Sequence, residues 1–154
     1  MDDMSIRPAT PSDAQRIHEL HRDSVRALCA SFYEPAIIDG WLRGRTPAGY
    51  LLGISNGATF VAETHSKIIG FSEGILGEVL AVFVDPQYAG RGVGTALLSR
   101  ALDLAVGAGG AVRLESTLNA TGFYERFGFR QISHSIVRRN DVDVPVVIME
   151  KHAG

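Results

Sequence analysis

Apolar residues recur along this chain at two different spacings, and the switches between them mark out its elements. Residues 4–9 read as a short extended stretch leading into Pro11-Ser12-Asp13, where Ser12 followed by Gln15 has the form of a capping box. Behind it Ala14, Ile17, Leu20, Ser24, Val25 and Leu28 return every three or four positions, which predicts an amphipathic helix to about Ala30. A second, shorter helix is predicted from Pro35, whose fixed φ suits a first helical turn, with Ile37, Ile38, Trp41 and Leu42 on one side. Residues 44–57, rich in Gly and Pro, read as irregular.

Beyond them the period shortens. Residues 59–64 and 68–74 are β-rich runs around a polar turn at His65-Ser66-Lys67. A third run, 78–84, is apolar on both sides, as in a strand buried on both faces, and Asp85-Pro86 ends it. Residues 95–106 return to helical spacing with Leu97, Leu98, Ala101, Leu104 and Ala105 inward, and a glycine-rich cluster at 107–110 stops them. A short strand at 112–116, a short helix at 120–127 closed by Gly128, and two strands at 129–138 and 144–151 joined at Asn140-Asp141 complete the chain. The run Val144 to Met149 suits a core or an interface. This order predicts a mixed sheet flanked by helices, of the α/β or α+β class. With no repeat, low-complexity tract or linker, residues 1–154 are read as one domain.

Composition narrows the function classes. A chain of 154 residues can bury a core without disulfides or metal. No window of 18 residues is purely apolar, and the acidic start Met-Asp-Asp-Met lacks an apolar stretch, so neither a membrane span nor a signal peptide is expected. The single Cys29, set among Val25, Leu28 and Ala30, reads as a buried thiol and suits a reducing cytoplasm. A net charge of −2 gives no reason to expect nucleic acid or an anionic membrane as partner. His18 and His21 have the spacing of a metal pair but no third ligand nearby, so no metal is expected. A homodimer stays open.

The informative segment runs from Val82 through Leu98: a buried strand feeds a turn with alternate glycines, Gly90, Gly92 and Gly94, which opens into a helix. Glycines allow positive φ and close approach of a ligand to the backbone. The first N–H groups of a helix lack partners in the chain, and its dipole adds roughly half a positive charge there. Together they suit a phosphate or pyrophosphate. Other phosphate loops fit poorly, since no Lys lies near for a Walker A pattern, and Thr95 and Leu97 stand where GxGxxG requires glycine.

The segment Ala89-Gly90-Arg91-Gly92-Val93-Gly94 resembles the pyrophosphate signature of the GNAT superfamily of N-acetyltransferases, Gln/Arg-x-x-Gly-x-Gly/Ala. About 25 residues on, Leu118-Asn119-Ala120-Thr121-Gly122-Phe123-Tyr124-Glu125-Arg126-Phe127-Gly128-Phe129 is similar to a second family segment, and the order of predicted elements agrees from end to end. The resemblance implies acetyl-CoA as cosubstrate, with its pyrophosphate on the backbone amides of Gly90, Arg91, Gly92, Val93, Gly94 and Thr95. It implies that Val82, Phe83 and Val84 pair with the pantetheine arm and that the sheet splays between strands 78–84 and 112–116. Ala89 departs from the family's Gln or Arg, a lost side-chain contact at a site that works through backbone groups.

Acetyl transfer to an amine requires that the amine lose a proton, since an ammonium with a pKa near 10 has no lone pair at pH 7. The oxyanion needs a donor, most simply a backbone N–H near Val82. The departing thiolate gains from a proton donor, and the resemblance implies Tyr124. It implies a CoA contact for Asn119, which also suits the cap of the following helix. For the base, Glu78 begins the central strand and by alternation shares a face with Leu80, Val82 and Val84, where apolar surroundings would raise its pKa. Glu115, Glu73 and a water chain are the alternatives. The acceptor, implied to lie under the loop between the first two helices, would meet Tyr33 and Trp41 beside Phe32, Glu34 and Asp39. Small amines, amino acids and protein amines all fit such a lid, and a non-catalytic CoA-binding module is the rival function.

Overall fold

A computed structural model describes residues 4–107 and 109–152; residues 1–3 at the acidic start, Ala108 in the glycine-rich cluster and residues 153–154 lie outside them. Seven strands form one sheet in the order β1-β2-β3-β4-β5-β7-β6. They are β1 (Ser5–Pro8), β2 (Thr59–Thr64), β3 (Lys67–Ile75), β4 (Glu78–Val84), β5 (Ala111–Ser116), β6 (Arg130–Arg139) and β7 (Val142–His152). Helices α1 (Ala14–Leu28), α2 (Pro35–Leu42) and α3 (Leu51–Ser55) precede β2, α4 (Val93–Val106) joins β4 to β5, and α5 (Thr121–Glu125) follows β5.

Both faces of the sheet are covered. On one, α4 lays Leu97, Leu98, Ala101 and Ala105 into a core with Val79, Leu114 and Met149. Leu104, expected to face inward, is 39% exposed. The helix sits close because β3 carries glycine beneath it: a Cβ on Gly74 would lie 2.5 Å from the Ala101 carbonyl oxygen, and one on Gly70 2.7 Å from Leu97. On the other face α1 contributes Ile17 and Leu20 against Val61 and Phe71, and α2 contributes Ile38 and Trp41 against Val144, Val146 and Ile148. Val147 and Met149 of β7 point to the α4 side, so the Val144 to Met149 run is core.

Local chemistry explains most boundaries. The β2–β3 turn has His65 and Ser66 at φ 49° and 62°, both in the left-handed region that a two-residue hairpin requires. The N-terminal box forms on other residues than Ser12 and Gln15: Asp13 Oδ2 accepts from the Thr10 N–H at 2.8 Å, and Gln15 instead reaches Glu19. The stretch at 44–57 is not irregular throughout. A single 3-10 turn at Pro47–Tyr50 runs into α3, held because Ile54 is buried with Ile17 and Leu20.

Two irregularities shape the centre. Strands β4 and β5 run parallel, with Glu78↔Arg113 the single register pair between them, so beyond Glu78 the two diverge. Facing β3, Gly74 pairs with Val79 but Glu73 pairs with Ala81, which leaves Leu80 as the extra residue of a β-bulge.

Candidate active site

Where β4 and β5 part, two cavities meet, of about 370 and 310 Å³, sharing Val82, Phe83, Thr117 and Ala120 as a common wall. The larger follows the open edge of β4 through Val84 to Gly90, Gly92, Gly94 and Thr95. Asp85 fixes the strand end: its carboxylate accepts from the Gln87 N–H at 3.0 Å and from Arg16 of α1 at 2.6 Å. Gly90 and Gly92 then take φ 77° and 83°, and a Cβ on either would meet no protein atom within 4 Å. The glycines are therefore required by backbone conformation, and the open side of the turn stays bare.

Helix α4 begins directly after Gly92, two residues earlier than its apolar spacing predicts. The Ala96 N–H closes the first turn on the Gly92 carbonyl at 3.2 Å. The N–H groups of Val93, Gly94 and Thr95 precede that bond and have no carbonyl one turn back to meet. Val93 offers only its backbone, since its side chain is buried with Ala62 and Leu97. Arg91 points away, its guanidinium 5.4 Å over the Tyr88 ring, and does not line the cavity. Gly94 lets Phe123 approach, for a Cβ there would lie 3.3 Å from the ring. Asn119 lines this cavity, accepting the Cys29 S–H at 3.3 Å, and α5 starts at Thr121 behind Ala120, so Asn119 does not cap it. Phe123 and Arg126 complete the wall. Neither stood out in the sequence, although both lie in the same short segment as Tyr124.

The smaller cavity is built from side chains drawn from distant elements. Tyr124 lines it, packed edge-on against Phe123 and Phe129 at 5.1 and 5.9 Å, and burial pushes its phenol well above the usual range. Glu73 lines it too, half-buried, and burial alone raises its carboxyl. That carboxylate lies against α3, where a Cβ on Gly53 would fall 2.5 Å from Oε2. Glu115 is paired to Arg139 at 3.2 Å. His21 is held neutral: burial pulls its pKa down to about 3, its Nδ1 lies 2.8 Å from the Tyr50 hydroxyl, and its ring packs on Phe83 at 4.2 Å. Among the described residues no group of three or more metal-ligating side chains is assembled.

Two expectations need correction. Glu78 lines neither cavity. The bulge at Leu80 breaks the alternation on which its placement rested: Val79 and Val82 share the α4 side, while Ala81 and Phe83 face α1. Glu78 is therefore not on the face of Val82. Tyr33 belongs to the frame, because its hydroxyl donates to the Pro145 carbonyl at 2.6 Å and accepts from the Leu118 N–H at 3.0 Å. Trp41 does line the smaller cavity, joined there by Arg45 and Tyr50, which the reading of 44–57 as irregular had passed over.

Comparison with known proteins gives the same picture. Residues 55–131 match the profile of the Acetyltransferase (GNAT) domain family. The chain is 31% identical over 132 residues to the N-alpha-acetyltransferase RimI of Mycobacterium tuberculosis, covering 84% of this chain and 80% of that one. It is 25% identical over 137 residues to YafP of Escherichia coli, an uncharacterized N-acetyltransferase, covering 89% and 88%. A GCN5-related N-acetyltransferase from Rhodopseudomonas palustris shares the fold at a TM-score of 0.90 and 24% identity, over 97% of this chain and 95% of that one. The PaiA N-acetyltransferase of Thermoplasma acidophilum, solved in complex with coenzyme A, superposes with a TM-score of 0.77 at 25% identity, over 97% and 99%. No helix among the described residues is long and apolar enough to cross a membrane. The chain belongs to the GNAT superfamily of acetyl-CoA-dependent N-acetyltransferases.

Proposed function

We propose that the chain moves an acetyl group to a primary amine held in the smaller cavity, with Glu73 as base and Tyr124 as proton donor. One observation carries this: the glycine-turn cleft and an acid-lined cavity meet at the unpaired edge of β4. The larger cleft fits CoA on its own features. It offers free N–H groups at the start of α4, a turn stripped of Cβ atoms and an open strand edge. When bound there, acetyl-CoA supplies an activated acyl thioester.

The chain's own groups do the rest. Glu73 is preferred over Glu78, which lies outside the cavity, and over Glu115, which Arg139 engages. Burial raises its carboxyl above the ordinary range, which makes it a stronger proton acceptor than an exposed carboxylate. Tyr124 keeps its phenolic proton at neutral pH, the state a donor to a departing thiolate needs. The open edge of β4 near Val82 offers backbone N–H groups to a developing oxyanion. Asn119, on the wall of the larger cleft, would steady the arm of the cosubstrate. We read residues 1–154 as one domain. The reducing cytoplasm suits both the lone buried Cys29 and a thiol-releasing reaction.

The test has two stages. Acetyl-CoA and CoA should raise the melting temperature in a concentration-dependent way, and ADP should do so less. CoA release with a panel of amines should then separate an enzyme from a module that only binds CoA; binding without release from any amine would leave the module.

A further inference from the structure

Two charges that line the acceptor cavity have no ion-pair partner among the described residues. Two carboxylates and two guanidiniums line it: Glu73, Glu115, Arg45 and Arg139. Arg139 Nη2 and Glu115 Oε1 pair at 3.2 Å and offset one another. Among the described residues neither Glu73 nor Arg45 has an ion-pair partner. Arg45 Nε donates to the Trp41 carbonyl at 3.3 Å, which orients the guanidinium without neutralising it. Charges drawn out of water cost free energy unless they are paired. A small cavity that keeps one uncompensated group of each sign is complementary to a ligand carrying both.

Two further observations lean the same way. Arg45 and Tyr50 also line an adjoining cavity of about 440 Å³ between α1 and α2, whose other charged walls are Arg22, Arg26, Arg43 and a single acid, Asp39. Arg26 pairs with Asp39 at 3.0 Å, Arg43 with Asp141 at 3.0 Å and Arg22 with Asp23 at 3.5 Å, so among the described residues Arg45 is the arginine of this neighbouring space without an acidic partner. Trp41, on the wall of the acceptor cavity, has a buried Nε1–H with no hydrogen-bond partner. An unsatisfied donor beside a guanidinium that lacks an ion-pair partner suits an anion.

We propose that the acceptor is an amine bearing a carboxylate on the same small skeleton, with the amine at Glu73 and the carboxylate at Arg45. This rests on the acetyl-transfer reading above and adds the substrate class to it. The ammonium gives one proton to Glu73. As the N–C bond forms and the C–S bond breaks, the second nitrogen proton balances the thiolate, which leaves as thiol; Glu73 returns its proton to solvent. A free amino acid and a peptide with an acidic N-terminal residue share this chemistry.

The experiment measures CoA release by the full chain on matched pairs: β-alanine with propylamine, phenylalanine with phenethylamine, and Asp-Gly amide with Asn-Gly amide. The carboxylated member of at least one pair should be favoured in kcat/KM by on the order of tenfold, and which pair shows it separates free amino acid from peptide. Arg45→Gln should bring that ratio toward one, and Arg45→Lys should keep part of it. A wild-type preference for the plain amines, or a loss in Arg45→Gln equal for both members, overturns the proposal while leaving acetyl transfer intact. CoA release with no amine at all, though acetyl-CoA still raises the melting temperature, overturns both.

Discussion

The two halves of the site are made in opposite ways. The cofactor cleft has a backbone floor, made of a strand edge, two glycines at positive φ and a helix start within residues 82–95, with α1 and the 117–126 segment as its walls. The acceptor cavity is side chain: Trp41, Arg45, Glu73, Glu115, Tyr124 and Arg139 come from six places along the chain and meet only when the sheet forms. A backbone site tolerates sequence change, so Ala89 can stand where the family signature has Gln or Arg. A side-chain site changes specificity with every substitution. The same sheet thus supplies one fixed grip and one adjustable one.

The largest effect expected from breaking this contrast is on the side-chain half. Glu73→Gln should lower kcat at neutral pH by on the order of a hundredfold and leave CoA affinity nearly unchanged. The pH profile carries the sharper test. A protonated carboxyl cannot accept a proton, so wild-type activity should fall as pH drops through the pKa of Glu73, which burial holds above the usual carboxylate range. The acid limb should therefore lie above the range of an exposed carboxylate and disappear in the Gln variant. A limb unchanged in Glu73→Gln would move the base elsewhere.

Next comes Tyr124→Phe, expected to cut turnover by on the order of tenfold or more while CoA still binds. The ring is buried against Phe123 and Phe129, and Phe preserves that packing, so the loss would belong to the hydroxyl. Equal turnover in the two proteins would remove Tyr124 from the mechanism.

On the backbone half, Gly92→Val places a β-branched residue at φ 83°. Such a residue in the left-handed region costs on the order of 1 kcal/mol or more. The free turn should relax from its binding geometry, and CoA affinity measured by calorimetry should weaken about fivefold. The helix behind it stays anchored by Leu97 and Leu98, so circular dichroism should be unaltered. Undiminished affinity would mean that the amides of this turn do not hold the ligand.

The same division explains what could be read from the residues alone. The cleft was legible because its determinants are consecutive: Gly90, Gly92 and Gly94 after a strand speak for themselves, as does the His65-Ser66 hairpin turn. Helix α3 was not. Pro47, Gly49 and Gly53 argue against a helix locally, and it forms because Ile54 finds a buried place beside Ile17 and Leu20. Arg45 and Tyr50 went unnoticed with it. The bulge was hidden for a similar reason, since one extra residue in β4 is a property of its pairing with β3, not of the sequence Glu-Val-Leu-Ala-Val.

That bulge supplies the smallest effect and the most discriminating one. Strict alternation would aim Glu78 with Val82 toward the reacting centre and make it the natural base. With Leu80 as an extra residue the parity reverses, Val79 takes the place beside Val82 in the α4 core, and Glu78 sits at the closed end of the splay opposite Arg113. Glu78→Gln should therefore change kcat/KM by less than about twofold, a variation of surface size, with the acid limb of the pH profile where the wild type has it. Parallel rate measurements on the Glu73 and Glu78 variants decide between the two strands. A severe loss in Glu78→Gln together with a mild one in Glu73→Gln would mean that β4 pairs without the bulge during turnover, and the acceptor cavity would have to be redrawn from that register.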